Sequence, residues 1–229
     1  MSHELPSWLH RLAGATAAFR LDELSRFEPP AEGGRAAAVL ILLVDGPGGP
    51  EVLLIQRAST MRSHAGQPAF PGGATDPGDD GPIGTALREA AEEVGLDPAS
   101  VHIIATLSPL WLPPSGFVVT PVLGWWHRPH PVSAIDPREV AAVARVRVAA
   151  LVDPANRSRV RHPSGWIGPA FNVHGMLVWG FTAVLIDRLL DVAGWAQPWD
   201  TAKLRALPDC ATRLAAANTA ADAARDVTA

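Results

Sequence analysis

The most informative segment of the chain reads Arg88-Glu89-Ala90-Ala91-Glu92-Glu93-Val94-Gly95-Leu96. On an α-helix, Glu89 and Glu93 lie one turn apart and Glu92 lies three residues from Glu89, so three carboxylates gather on one side. Gly95 is placed to end the helix, because glycine readily adopts the left-handed conformation found there. Like charges at this spacing repel each other. Either solvent and a neighbouring arginine offset that repulsion, or a divalent cation does.

The loop before this helix favours the cation. Phe70-Pro71-Gly72-Gly73 leads into three aspartates, Asp76, Asp79 and Asp80. Adjacent glycines allow backbone conformations that other residues resist. Hard cations such as Mg²⁺ take carboxylate oxygens and keep water molecules that substrate phosphates can replace. A glycine loop beside a glutamate-bearing helix therefore predicts an oxygen-rich pocket for a metal and a diphosphate.

Composition narrows the class of protein. The chain has 229 residues, of which 48% are hydrophobic and 18% charged, enough for one domain with extensions. The net charge of −4 gives no electrostatic reason to expect nucleic acid, whose phosphates call for a basic surface. The single cysteine, Cys210, cannot form an internal disulfide, and no cysteine–histidine cluster has zinc spacing. We expect a cytoplasmic protein that binds neither nucleic acid nor a membrane.

Around the acidic helix, the apolar pattern predicts strands, a loop, the helix, more strands and a second helix. The predicted strands cover 36–44, 51–57, 101–111, 117–126 and 143–148, the loop covers 58–81, and the helices cover 82–94 and 176–192. The longest apolar run, Gly175–Ile186, is too short to cross a bilayer and predicts a buried helix. This mixed order indicates an α/β or α+β sandwich.

Taken together, the glycine loop and the acidic helix resemble a known family motif. Gly72-Gly73 followed by Arg88-Glu89-x-x-Glu92-Glu93-x-Gly95 is similar to the Nudix box, and its helical part is complete. The loop is one residue longer than in the commonest box, and Asp79 or Asp80 stands where the box has glutamate. The resemblance implies an α/β/α sandwich around a mixed β-sheet. It also implies Mg²⁺- or Mn²⁺-dependent hydrolysis of a nucleoside diphosphate linked to another group.

A second motif, in residues 53–73, is similar to the extended signature of the coenzyme A pyrophosphatase branch. The residues kept are Arg57, Arg62, His64, Gly66, Gln67 and Phe70. The chain departs from the signature at Ala58, Met61 and Pro68, and Pro68 lacks the amide donor that sheet pairing uses. The resemblance implies hydrolysis of coenzyme A or its thioesters to 4′-phosphopantetheine and adenosine 3′,5′-bisphosphate.

The resemblance also assigns catalytic roles. The metal ligands would be Glu89, Glu93 and, through a backbone oxygen, Gly73, and Glu92 would either bind the metal directly or hold a metal-bound water. Arg88 would orient a glutamate by ion pairing. The general base is either a glutamate of the box or an acidic residue from a distant loop, for which Glu139 is the candidate. The alternative for Glu139 is an exposed glutamate at the start of a strand.

Five residues of the extended signature are candidates for substrate binding. Arg57 and Arg62 would bind phosphate, because a guanidinium group matches phosphate oxygens. His64 would hydrogen-bond phosphate or shape the loop. Gln67 and Phe70 would contact the substrate or pack the loop.

Three segments follow from these assignments: an N-terminal extension, 1–30, a Nudix hydrolase domain, 31–195, and an Ala-rich, partly disordered C-terminal extension, 196–229. One alternative function is hydrolysis of ADP-ribose or another nucleoside diphosphate derivative. Another is a non-catalytic module that senses a nucleotide, although such modules typically lose box glutamates that this chain keeps. The expected partner is a small-molecule nucleotide, and self-association as a homodimer stays open.

Overall fold

The computed structural model describes residues 4–16, 33–61, 64–112 and 115–207. Its helices are α1 (Ser7–Gly14), α2 (Gly81–Val94), α3 (Val148–Val152) and α4 (Gly180–Ala193). Its strands are β1 (Arg35–Gly46), β2 (Gly49–Arg57), β3 (Pro68–Ala69), β4 (Gly72–Ala74), β5 (Val101–Thr106), β6 (Leu110–Leu112), β7 (Phe117–Trp126), β8 (Val140–Arg147), β9 (Arg157–Arg161), β10 (Ile167–Val173), β11 (Met176–Val178) and β12 (Leu204–Arg205). None of the described helices combines the length and the hydropathy that a membrane span needs.

The larger sheet is mixed. At its centre, β1 runs parallel to β7 and antiparallel to β2. β5 and β6 pair with β7, and β8 pairs with β2. β1 and β2 pair only near the turn that joins them, and the short strands β4 and β3 pair with the remaining lengths of β1 and β2. The glycine loop is thereby fixed to the sheet through β4 on β1 and through β3 on β2.

Helices cover both faces of this sheet. Side chains of β1 alternate between the faces, as they do along any strand. Leu40 belongs to a buried cluster with Ala90 of α2, whereas Ile41 belongs to a separate cluster with Leu185 of α4 and with α1. The fold is therefore the predicted α/β/α sandwich around a mixed β-sheet.

The second sheet, ordered β11-β10-β9-β12, has no counterpart in the sequence-based prediction. Its strand β9 carries three arginines in five residues, so the apolar alternation typical of a strand is absent. The predicted start of the second helix is also wrong. Met176–Val178 pairs with β10 as a strand, and α4 begins only at Gly180, whose φ is 66°.

Other element boundaries differ in smaller ways. The strand predicted over 101–111 ends at Thr106 and resumes as β6, and the loop predicted over 58–81 contains β3 and β4. The strand predicted to end at Val148 ends one residue earlier, where α3 begins. Strands of two or three residues are too short to show a period. The Ala-rich segment from Ala211 lies outside the described residues.

The N-terminal segment contributes to the core. Leu9 and Leu12 of α1 are fully buried in the cluster that contains α4. The Trp8 ring packs against that of Trp195, and Trp8 Nε1 donates a hydrogen bond to Asp45. Residues 4–16 thus pack against the sandwich on the side opposite α2.

Candidate active site

The acidic helix α2 is held against the sheet by small residues. Ala86, Ala90 and Val94 are fully buried between the helix and the sheet, so their stripe fixes the rotation of the helix. The helix ends at Gly95, whose φ is 71° and whose amide donates to Ala91 O. Because the apolar stripe faces the sheet, Glu89 and Glu93 lie next to the glycine loop, whereas Glu92 is largely exposed and lies beside Arg88.

Glu93 is the most buried of the three glutamates, with 7% of its side chain exposed. Its Oε2 accepts a hydrogen bond of 3.0 Å from the Gly72 amide, and its Oε1 lies 3.8 Å from Arg57 Nη1. Burial raises the pKa of Glu93 to about 7, although the amide and the arginine act in the opposite direction. The carboxyl therefore titrates near neutral pH while no cation is bound.

Glu89 lies beside the glycine loop. A Cβ atom at Gly73 would be 2.5 Å from the Glu89 carboxyl group, so glycine is required for this close approach. The pKa of Glu89 is raised above its ordinary value, mainly because the carboxyl group is partly buried. Glu92 differs, because 60% of its side chain is exposed. Both carboxylates accept a hydrogen bond of 3.0 Å from Arg88 Nη1.

Arg88 also joins the helix to the preceding loop. Its Nε and Nη2 donate to the two carboxylate oxygens of Asp79 at 2.8 and 3.0 Å, and Nη2 also donates to Ala74 O at 2.9 Å. This fork holds the pKa of the Asp79 carboxyl well below its usual range. Of the two aspartates that the sequence left open, Asp79 makes this contact. Asp80 instead precedes α2 and makes no side-chain cap there.

Thr85 supports the same loop and was not singled out from the sequence. It is fully buried, and its hydroxyl lies 2.9 Å from Asp79 Oδ2 and 3.1 Å from Thr75 Oγ1. A threonine within a helix gives no sequence signal for such a role, since its partners are set by the path of the loop.

Arg57 and Glu139 lie at the same end of the sheet as the box. Arg57 ends β2 opposite Val140 of β8, and its buried Nε makes no hydrogen bond within the described part of the chain. Glu139 is exposed, and its charge contributes to the raised pKa of Glu93. The Ala58 amide donates to Glu139 O at 2.8 Å, which ties the two segments together.

The remaining substrate candidates lie on the segment before the glycine loop. His64 has a φ of 54°, and its Nδ1 is 3.0 Å from Gln67 Oε1. Burial lowers the pKa of His64. Phe70 is 3% exposed and belongs to the core cluster on the α4 side, so its ring packs against the core and anchors the glycine loop there. Arg62 lies outside the described residues.

The donor set fits a hard divalent cation. Glu89, Glu92 and Glu93 supply carboxylate oxygens, and the missing Cβ of Gly73 lets the Glu89 carboxyl lie directly against the glycine loop. In this structure Arg88 binds Glu89 and Glu92. The side-chain types suit such a cation, but in the arrangement that the structure shows, no three His, Cys, Asp or Glu side chains within the described ranges are grouped closely enough to hold a metal.

The fold and the site together define a class of protein, a hydrolase of phosphoanhydride bonds built on an α/β/α sandwich. Comparison with known proteins gives the family. The chain matches the NUDIX domain over residues 34–166. It is 42% identical over 161 residues to a Nudix hydrolase named NudL from Cronobacter sakazakii, covering 68% of this chain and 81% of that protein. It is 36% identical over 184 residues to the NudL of Photorhabdus laumondii, covering 73% and 94%.

A solved structure agrees with the fold. A Nudix hydrolase from M. smegmatis, RenU, superposes with a TM-score of 0.50 at 22% identity, covering 74% of this chain and 91% of RenU. The chain belongs to the Nudix family and is a Nudix hydrolase. Members of the family cleave pyrophosphate bonds in small nucleotide derivatives and generally use divalent metal ions.

Proposed function

We propose that this enzyme hydrolyses the pyrophosphate bond of coenzyme A or its thioesters, with Mg²⁺ or Mn²⁺, to 4′-phosphopantetheine and adenosine 3′,5′-bisphosphate. One observation carries the proposal. Arg57, the first arginine of the coenzyme A signature, lies 3.8 Å from Glu93 of the box. Arg57, near the start of the signature, and Glu93, near the end of the box, thus meet at one place, where a cation-binding helix and a phosphate-binding arginine would act on the same substrate.

Some residues of the site would bind the metal, and others would bind the substrate. A bound metal would neutralise the diphosphate and stabilise charge on the attacked phosphorus. Glu89, Glu92, Glu93 and the Gly73 carbonyl would hold it, and Arg88, which donates hydrogen bonds to Glu89 and Glu92, would position these two carboxylates.

Residues outside the box helix would bind the phosphates and accept the proton of the attacking water. Arg57 keeps 21% of its side chain exposed, and its guanidinium group would bind a phosphate oxygen. Glu139 is exposed to water and close enough to affect Glu93, which makes it our candidate for the general base. A glutamate of the box is the alternative. His64 and Gln67 contact the substrate, whereas Phe70 positions the loop.

Residues 31–195 form the catalytic unit in this proposal, with Arg62 as a second phosphate-binding arginine. The 3′-phosphate of coenzyme A adds negative charge, so more than one arginine is useful for its recognition. Hydrolysis of ADP-ribose uses the same box and is the competing activity.

Product analysis separates these activities. Purified enzyme is incubated with coenzyme A, 3′-dephospho-coenzyme A or ADP-ribose in Mg²⁺ or Mn²⁺, and the products are separated by chromatography. We expect adenosine 3′,5′-bisphosphate and 4′-phosphopantetheine from coenzyme A, and no products in excess chelator. Cleavage of ADP-ribose without cleavage of coenzyme A would refute the substrate assignment. The absence of any turnover would instead favour a nucleotide-sensing module.

A further inference from the structure

A buried hydrogen bond connects helix α4 to the segment that carries the coenzyme A signature. Thr182 Oγ1 donates to Pro68 O at 3.2 Å, across 114 positions of sequence. Thr182 is 7% exposed and Pro68 is buried, so water does not readily replace this bond. Thr182 lies beyond residues 34–166, the part of the chain that matches the NUDIX domain. The bond therefore joins the domain to an element outside the family match.

The signature segment is held by β2 on one side and by α4 on the other. β3 is only two residues long, and its Pro68 has no amide hydrogen to donate to the ladder. On the β2 side, the Arg57 amide donates to Gln67 O at 3.0 Å, and Gln56 Nε2 donates to Gly66 O at 3.4 Å. On the α4 side, the Thr182 hydroxyl satisfies the Pro68 carbonyl. Without it, a buried carbonyl would lose its partner.

We propose that Thr182 is a positioning residue for substrate binding: its hydroxyl fixes the segment 64–68 so that His64 and Gln67 are held in place. Gln67 is the neighbour of Pro68 and is the partner of His64 Nδ1. The role of this segment in binding rests on the proposed function. Thr182 touches none of the box glutamates in the described contacts, and Glu93 keeps its own bond to the Gly72 amide. Thr182 therefore acts on binding rather than on the chemical step.

The Thr182→Val variant removes the hydroxyl and keeps the shape of the side chain. We expect the KM for the hydrolysed nucleotide to rise about tenfold, as the loss of a buried hydrogen bond implies, with kcat within about twofold of the parent. Thr182→Ser keeps the hydroxyl and should restore the KM. A purely structural role would lower the amount of folded enzyme without this split between KM and kcat.

Ser158→Ala is the matched control. Ser158 is 1% exposed, and its hydroxyl makes no hydrogen bond among the described residues, so its removal should leave the KM unchanged. Amide hydrogen exchange gives a readout that needs no substrate. In Thr182→Val, exchange should become faster across residues 55–70, where the Arg57 amide is protected by Gln67 O, and stay unchanged across α2.

Three results would overturn the proposal: an unchanged KM in Thr182→Val, no rescue by Thr182→Ser, or an equal rise in KM in Ser158→Ala. Failure of the proposed function is a separate outcome. If ADP-ribose is cleaved and coenzyme A is not, the same comparison is made with ADP-ribose. If nothing is cleaved, hydrogen exchange alone decides, and unchanged exchange across residues 55–70 refutes the role of Thr182.

Discussion

At the scale of single residues, the site is defined by how differently its three glutamates are buried. Glu93 is 7% exposed and bonded to a backbone amide, whereas Glu92 is 60% exposed and bonded to an arginine. Burial penalises the charged form of a carboxyl, so a buried acid is costly to stability at neutral pH until a cation or a proton compensates it. The two residues should therefore respond differently to the same substitution.

Glu93 should make stability depend on pH in the metal-free enzyme. Its pKa is about 7 in the folded chain against an ordinary value of 4.5, so the folded state binds a proton that the unfolded state has released between these values. The free energy of unfolding should fall as the pH rises from about 4.5 to about 7 and then level off. Glu93→Gln removes this fall, and at pH 8 it should exceed the parent in stability by about 1–3 kcal/mol.

The measurement is urea unfolding of parent and variant in chelator at pH 5 and pH 8. The difference in the free energy of unfolding between parent and variant isolates the contribution of Glu93. Other groups, such as His64, contribute equally to both proteins, and the lowered pKa of His64 makes stability rise with pH instead. A difference that is the same at both pH values would contradict the burial argument. With Mg²⁺ added, the variant should lose activity at both pH values, since Glu93 is a metal ligand in the proposed function.

Glu92→Gln should separate activity from stability. Because Glu92 is largely exposed, loss of its ion pair with Arg88 should change the free energy of unfolding by less than about 1 kcal/mol. The kcat should fall about 100-fold or more, as expected when a group that stabilises transition-state charge is lost. Asp80→Asn, an exposed acid beside the same helix, is the control and should retain activity. An unchanged rate in Glu92→Gln would remove this residue from the mechanism.

At the scale of elements, the loop and helix behave as one unit. Arg88 bonds to Asp79 and Ala74 on the loop and to two glutamates on the helix. The loop can approach the helix closely because Gly73 has no side chain. The sequence predicted both the glycine and the arginine as important, and the structure shows which atoms they contact.

Two glycines of this unit make a matched pair for substitution by alanine. A Cβ at Gly73 would lie 2.5 Å from the Glu89 carboxyl, whereas a Cβ at Gly84 of α2 has no neighbour nearer than 3.5 Å. Gly73→Ala should displace Glu89 and lower kcat/KM by about tenfold or more. Gly84→Ala should keep activity and stabilise the chain by about 0.5–1 kcal/mol, the helix preference of alanine over glycine. Steady-state kinetics and urea unfolding test both, and equal activities would show that the space beside Glu89 is not needed.

At the scale of the whole molecule, the helices on the side opposite α2 complete the sandwich. α1 contributes Leu9 and Leu12 to the cluster that contains α4, and both are fully buried. The N-terminal segment is thus part of the core that supports the sheet, although it lies far from the box in sequence. Its truncation should cost stability rather than chemistry.

Leu9→Ala should lower the free energy of unfolding by about 2–5 kcal/mol, the usual cost of a cavity left by a buried leucine. The kcat of the folded enzyme should stay unchanged, because α1 and α2 lie on opposite faces of the sheet. Ser7→Ala, an exposed position at the start of the same helix, should change stability by no more than about 0.5 kcal/mol. Urea unfolding with equal midpoints for the two variants would place α1 outside the core.

The sequence by itself determined the acidic helix, its end at Gly95, the glycine loop and the mixed order of strands and helices. These features depend on spacing and backbone preference within a few residues, so they can be read locally. It did not predict the second sheet, because β9 is rich in arginine and lacks a strand pattern.

Only the tertiary structure decided the burial that raises the pKa of Glu93, the approach of Arg57 to Glu93 and the bond from Thr182 to Pro68. All three depend on residues that are far apart in the chain: Arg57 and Glu93 in one contact, and Pro68 and Thr182 in the other. Such contacts arise when the sheet and its helices pack, and no local pattern encodes which distant atoms then meet.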